Sequence, residues 1–262
     1  MIELDPVATR AGARLAWHET LTSTNQEALA RARCGERGPL WIAAESQTAG
    51  RGRRGRTWVS EPGNLYATLL LIDPSAAERA AELSFVAALA LHDALVAAVP
   101  GVASRLAFKW PNDLLLDGGK LAGILVEGER SADGLAVAVG IGVNCARHPS
   151  ATSYPATDLA TAGISLPPSR LLTVLSRTMV ERLALWRRGN GFAAIRADWV
   201  GRAAGLGREA LVVSGEEELS GRFDGVDEGG HLILRLGDGT TRTITAGDVV
   251  PLLQPSVVGP AA

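Results

Sequence analysis

Two kinds of chain meet near residues 201–207, and that change limits the folds open to this sequence. Upstream, strand-length apolar runs alternate with long helical periods. Residues 41–45, 65–72, 106–109, 121–128 and 135–143 read as strands, rich in Leu, Ile and Val and too short for helices. Turn residues at 131–134 join the last two as a hairpin. Helical periods cover residues 25–33, 75–99, 169–188 and 192–200. Thr22, Ser23 or Thr24 can cap the first of these. In the second, Leu83, Val86, Leu89, Ala90, Ala94 and Ala97 keep the helical period, and Pro100-Gly101 stops it. Downstream there are only short β-type runs, at 210–213, 219–226, 231–236 and 240–245, separated by tight turns. Hairpins of this length predict a small barrel of about 50 residues. The expected organisation is an α/β domain over residues 1–203, a barrel over 204–255 and a flexible tail at 256–262.

Charge is concentrated in one place. The formal net charge is -2 over 262 residues, yet Arg51, Arg53, Arg54 and Arg56 crowd together, interleaved with Gly50, Gly52 and Gly55 and followed by Trp58. No acid interrupts the segment between Glu45 and Glu61. Guanidinium groups bind phosphate or carboxylate through paired donors. Glycines let backbone N–H groups approach an anion and adopt positive φ. The loop therefore reads as an anion clamp, in preference to a solvated hairpin tip. It is not a P-loop, because the Lys-Ser/Thr ending is missing. A near-neutral chain gives no case for a general nucleic-acid or membrane surface binder. No apolar run reaches the roughly 18 residues of a membrane helix, and the N-terminus lacks the apolar centre of a signal peptide. Two cysteines, Cys34 and Cys145, suggest reduced thiols and a cytoplasmic protein.

Three further constellations stand out. Lys109-Trp-Pro-Asn-Asp113 is a turn-rich break between apolar strands, and Lys120 follows at the mouth of the next strand. Asp113 has two readings, a Mg²⁺ ligand or a partner for a neighbouring base. Gly123, inside an otherwise branched strand, suggests close approach by a ligand. Ser23-Thr24-Asn25 offers short polar groups that suit either a helix cap or the polar head of a small molecule. Gly140-Ile-Gly-Val-Asn144 allows close backbone approach, with Asn144 placed to orient a ligand. The four histidines, His18, His92, His148 and His231, share no metal-ligand spacing. No Gly-x-Ser-x-Gly elbow supports a serine nucleophile.

Taken in order, Ser23-Thr24-Asn25, Gln47 with Gly50 to Trp58, Lys109 to Asp113, Lys120 to Glu127 and Gly140 to Asn144 resemble the biotin protein ligases, over roughly residues 15–250. The resemblance implies a class II aminoacyl-tRNA synthetase/biotin ligase-like α/β catalytic domain, a mixed sheet backed by helices, with a C-terminal SH3-like barrel. It implies synthesis of biotinyl-5′-AMP from biotin and MgATP. Transfer to one lysine of the biotin carboxyl carrier domain of an acyl-CoA or pyruvate carboxylase would follow. Lys120, Arg53 and Asp113 would carry catalysis, with Asp113 assisting transfer or holding Mg²⁺. Ser23, Thr24, Asn25, Gln47, Gly50, Arg51, Arg53, Lys120, Gly123 and Ile124 would bind biotin. Arg51, Arg53, Arg54, Arg56, Trp58, Asn112, Lys120 and Asn144 would hold the adenylate, and Tyr154 is a stacking partner for adenine. A homodimer paired through an exposed sheet edge is allowed.

Two departures shape the expectation. Only about 20 residues precede Ser23, so a form without a DNA-binding repressor domain is expected. Residues 247–253, Gly-Asp-Val-Val-Pro-Leu-Leu, lack the basic residue that relatives place against ATP. A lipoate or octanoate ligase of the same superfold is the near alternative, although the glycine and histidine signature of those relatives is missing at the arginine loop. A nucleic-acid-binding module and a catalytically dead biotin-binding scaffold are the readings from other classes.

Overall fold

The computed structural model describes residues 2–131, 134–150, 152, 154–214 and 217–251. In chain order the elements are α1 (Pro6–Arg10), β1 (Arg14–Leu21), α2 (Thr24–Arg33), β2 (Leu40–Gln47), β3 (Leu65–Ile72) and α3 (Leu83–Ala98). Next come β4 (Leu106–Lys109), β5 (Asp113–Leu116), β6 (Gly119–Ser131), β7 (Gly134–Val143), α4 (Pro168–Trp186) and α5 (Phe192–Val200). The C-terminal part adds β8 (Glu209–Ser214), β9 (Glu217–Val226), β10 (Leu232–Arg235), β11 (Thr241–Ile244) and β12 (Asp248–Pro251).

The first seven strands form one mixed sheet in the order β1-β2-β3-β7-β6-β5-β4. Only β1 and β2 run parallel, and the remaining neighbours are antiparallel. β3 and β2 lie inside this sheet, so both their faces are covered and their sequences are apolar without alternation. One face carries α3, α4 and α5 over the main core, where Phe85, Phe108, Phe192 and Trp199 interlock; Phe108 and Trp199 stack with centroids 5.6 Å apart. α3 is buried on nearly every side, which suits a helix that is apolar all round. It lies within the helical stretch Ala77–Ala98, which meets the length and hydropathy of a membrane crossing yet is 67% buried inside the protein. The other face carries α2, whose Ala28, Leu29 and Ala32 pack against Leu40, Ile42, Leu70, Ala136 and Ala138.

The last five strands make an antiparallel sheet in the order β11-β10-β9-β8-β12. It shares the main core through Val212, Phe223, Val226 and Leu232. The Trp110 indole N–H donates to Gly230 O at 3.0 Å, and Arg196 donates to Val226 O at 3.1 Å, fastening this sheet to the β4–β5 turn and to α5.

Some expectations need correction. Residues 75–99 do not form one helix: Ala77–Glu82 is 3₁₀ and α3 begins at Leu83. The 3₁₀ turn eclipses side chains three apart, matching the Arg79–Glu82 pair at 2.9 Å, and Glu82 also accepts from the Trp186 indole at 2.5 Å. α4 ends at Trp186, not residue 188, because Arg187 turns left-handed at φ 49°. The half-exposed edge strand β1, the short β5 and β12, and α1 carry too little apolar periodicity to be seen in the sequence. The tail expected at 256–262 lies outside the described residues.

Candidate active site

One rung of the large sheet organises the site. The register places Lys109 opposite Asp113, Asp113 opposite Gly123, Gly123 opposite Gly142 and Gly142 opposite Tyr66. Residues on one rung project to one face. That face therefore has a flat, side-chain-free patch at Gly123 and Gly142, with charge beginning at Asp113. The patch carries the Trp58 indole. A Cβ at Gly142 would lie 2.7 Å from this ring, and one at Gly123 2.9 Å. The close approach anticipated at Gly123 is thus made by the protein's own indole. Trp58 Nε1 is buried and has no hydrogen-bond acceptor among the described residues.

Lys120 reaches this face through a β-bulge. The β5–β6 register shifts between Leu114 and Leu115, so Leu121 is the extra residue. Without it Lys120, three residues before Gly123, would point into the core where Leu121 and Ala122 now lie. Instead Lys120 Nζ lies 2.7 Å from Asp113 Oδ1, close enough for charge pairing although off a hydrogen-bond direction. Asp113 Oδ2 accepts from Lys109 Nζ at 3.2 Å. Lys120 Nζ also sits 5.4 Å from the Trp58 ring centroid, within cation–π range. Its backbone is pinned on the far side by residues 155–157: Lys120 N donates to Pro155 O at 2.7 Å and Thr157 N to Lys120 O at 3.1 Å. Asn144 braces the same contact, its side-chain amide donating to Thr157 O at 3.1 Å. The Lys109 ammonium lies 5.0 Å from the Tyr154 ring centroid, so that ring already has a cationic neighbour.

At the other end of the glycine patch lies a polar network. Ser23 makes no capping bond with its side chain. The α2 start is capped instead by Gln47, whose Oε1 accepts from Thr24 N at 2.8 Å, while its Nε2 donates to Ser60 Oγ at 2.8 Å. Thr68 Oγ1 lies 2.8 Å from Thr24 Oγ1 and 2.6 Å from Asn25 Oδ1. Asn25 Nδ2 donates to Leu125 O at 3.1 Å and to Glu127 at 2.8 Å. Gly140 exists for this side chain, because any Cβ there would overlap Asn25.

The arginine loop is a hairpin tip over the same face. Its base is held by Gly52 N to Arg56 O at 2.7 Å and Trp58 N to Gly50 O at 2.9 Å. Gly50 permits close packing, since a Cβ would overlap Trp58 O and Ser60 Oγ, whereas Gly55 takes positive φ at 73°. Arg51 pairs with Glu127 at 3.1 Å, linking the loop to Asn25. Arg53 points inward, 3.4 Å from Asn112 Oδ1 and 3.3 Å from Gly247 O. Burial pulls its guanidinium below the ordinary value, and Asp248 counteracts part of that effect. Arg54 points toward Asp248 at 3.8 Å, and Arg56 pairs with the same carboxylate. Asn112 donates to Ile124 O at 2.6 Å.

The structure thus gathers Gln47, the arginine loop, Trp58, Asp113, Lys120 and Gly123 around one face. Ile124 does not line it: strand alternation turns its side chain into the main core, beneath the patch. Asp113 is a poor Mg²⁺ ligand, because both its oxygens already face ammonium groups. Among the described residues no group of three or more His, Cys, Asp or Glu could hold a metal ion. A thiol nucleophile is also unsupported, since burial pushes Cys145 up to about 12. Sequence reasoning gave no role to Thr68 or Ser60, nor to Glu127 and Asp248, which it quoted only within the segments 120–127 and 247–253. An acid closing the apolar run at 121–126 was the available signal for Glu127; nothing local marks the other three.

Comparison with known proteins agrees with this geometry. Residues 17–144 match the biotin/lipoate A/B protein ligase family, and residues 205–250 match the biotin protein ligase C-terminal domain. A biotin–[acetyl-CoA-carboxylase] ligase of Paracoccus denitrificans is 46% identical over 237 residues, covering 87% of this chain and 96% of that protein. The enzyme of the same name from Mycobacterium tuberculosis is 34% identical, covering 88% of this chain and 86% of its own. Among solved structures, the biotin protein ligase of Aquifex aeolicus in complex with biotin and ATP superposes with a TM-score of 0.76. It is 25% identical, covering 90% of this chain and 97% of that one. On the strength of these matches the chain belongs to the biotin protein ligase family.

Proposed function

We infer that the protein is an ATP-dependent biotin protein ligase. A biotin carboxylate oxygen attacks the α-phosphorus of ATP, the bond to the β-phosphate breaks, and pyrophosphate leaves with the electron pair. The amine of a carrier lysine then attacks the acyl carbon of biotinyl-5′-AMP, losing a proton as AMP departs. One observation carries the reading: the Trp58 indole lies flat on the side-chain-free patch at Gly123 and Gly142, and a bulge aims an ammonium at that ring. An apolar bicycle with a carboxylate tail suits an aromatic wall with a cation at its end. Trp58 would be that wall. Ser23, Thr24, Asn25, Gln47 and Gly50 surround the patch's polar end, where a ureido ring needs donors and acceptors.

Lys120 would neutralise the carboxylate and α-phosphate as they meet, because two anions approach only where positive charge is fixed in advance. Arg51, Arg53, Arg54 and Arg56 would cover the adenylate and keep water from the mixed anhydride. Asp113 would position Lys120. Mg²⁺ would enter as part of the MgATP substrate and supply charge neutralisation there, since the described residues offer no cluster to hold it.

The acceptor would be a biotin carboxyl carrier domain, and the compartment the cytoplasm, where ATP and such carriers meet. A homodimer would pair along the open edge β1. The lipoyl alternative is not favoured, since both close relatives above are named as biotin ligases. Incubation with biotin, MgATP and an apo carrier domain, read by streptavidin blot, is the test. Labelling that needs ATP is expected, and no labelling with a competent acceptor overturns the reading.

A further inference from the structure

Three guanidinium groups of the loop converge on one carboxylate of the C-terminal sheet. Asp248 at the start of β12 pairs with Arg56, lies 3.7 Å from Arg53 and lies 3.8 Å from Arg54. Gly247 O adds a backbone acceptor for Arg53 at 3.3 Å. The arrangement is graded: the Arg56 side chain is 61% exposed, whereas Arg53 and Asp248 are each 24% exposed. Burial alone would raise Asp248, but the hydrogen bond and charge of Arg56, with the charge of Arg53, hold it below the usual carboxylate range. The carboxylate is therefore ionised at neutral pH; it accepts a hydrogen bond from Arg56 and offsets the charge of Arg53 and Arg54, the charge a nucleotide phosphate would meet. We propose that Asp248 is a positioning residue that acts as an internal counter-anion, latching the arginine loop whenever a polyphosphate is not there to do so.

The inference rests on the ligase reading for its timing. ATP brings about four negative charges and displaces the carboxylate by charge number. Once pyrophosphate leaves, the acyl-adenylate retains one negative charge, too few for the three arginines that face Asp248. Asp248 re-engages at that point and closes the loop over the intermediate. The latch comes from a different sheet, so the C-terminal part contributes through an acid although residues 247–251 offer no base. A surface carboxylate with one arginine partner would have no such role; here three partners from one short loop share it.

Limited trypsin digestion of the ligand-free full chain tests the latch, with cuts mapped by mass spectrometry. In Asp248→Asn, cleavage within residues 51–56 should accelerate about tenfold, because local opening of the loop sets the rate. Asp248→Glu should restore protection. The second readout is release of biotinyl-AMP, measured with pyrophosphatase present and no acceptor, which should rise in Asp248→Asn. Unchanged cleavage in a folded variant overturns the latch. Faster cleavage with unchanged release overturns its action on the intermediate. Should Asp248→Asn fail to fold, Arg56→Gln removes the same contact from the exposed side and should loosen Arg53 and Arg54 alike. Trypsin needs no ligase activity, so a chain that never makes an adenylate would defeat the functional reading and leave this readout intact.

Discussion

Asp113 shows how much a single side chain decides. It sits between two ammonium groups, at 2.7 Å and 3.2 Å, and is itself buried. On the proposed reading, truncating Lys120 removes the charge that would meet the substrate. For Lys120→Ala we expect adenylation to slow about 30- to 1000-fold, equivalent to about 2–4 kcal/mol. Biotin binding should weaken far less, and ATP–pyrophosphate exchange beside equilibrium biotin binding separates the two. Equal losses would remove Lys120 from the chemical step. Arg53 makes a different prediction, because its inward guanidinium bridges Asn112 and the C-terminal sheet. Arg53→Gly should release biotinyl-AMP faster, as detected by trapping free intermediate, with unchanged release counting against a covering role. The types and order of these residues were legible in the sequence. The direction of Lys120 was not, since a one-residue bulge sets it and no residue at 119–122 announces one.

Among the elements, β6 and β7 form the floor and α2 the polar end wall. The sequence showed both strands as apolar hairpin partners with glycines at 123, 140 and 142, and showed the helix. It did not show that the three glycines serve different neighbours. Gly123 and Gly142 accept the Trp58 ring, whereas Gly140 accepts Asn25. Contacts across 65, 84 and 115 positions leave no local trace. The distinction is testable. Gly140→Ala should push Asn25 off Thr68 and Glu127 and destabilise the fold by about 1–3 kcal/mol, through overpacking and broken buried hydrogen bonds. Urea unfolding and biotin affinity should both fall. A stable variant with weak biotin binding would show that Asn25 only contacts ligand. Ser23, one of the three expected candidates, is the N-cap residue of α2, but its side chain makes no capping bond; the donor at Thr24 N finds Gln47 on β2, a partner no helix-start rule contains.

At the level of the whole molecule, α3, α4 and α5 are tied by charge as well as by packing. Arg182 donates to Asp93 at 2.6 Å and to Asp198 at 2.6 Å. Burial alone would raise Asp93, but the hydrogen bonds of His92 and Arg182 outweigh it and hold its carboxyl below the ordinary range. A depressed folded value means the stabilisation is complete above the unfolded carboxylate pKa of about 4 and is lost as pH falls through the folded value. Urea unfolding should show Asp93→Asn weaker than the parent by about 1–2 kcal/mol at pH 7. The gap should narrow below about pH 4. A constant gap down to pH 2 would contradict this account. The two-part architecture was readable from the change of pattern near residue 201. How the parts touch was not, because Trp110 to Gly230 and the arginines to Asp248 join segments more than 100 positions apart.

The indole resting on two glycines has a spectroscopic consequence. The chain has six tryptophans; Trp41, Trp110, Trp186 and Trp199 are buried, and Trp17 is already in water at 45% exposure. Only Trp58 stands where a small molecule would alter its surroundings. Intrinsic emission should therefore shift when vitamin is titrated in, and Trp58→Phe should silence that change while leaving most of the fluorescence. The protein carries its own optical gauge of occupancy, needing no attached dye.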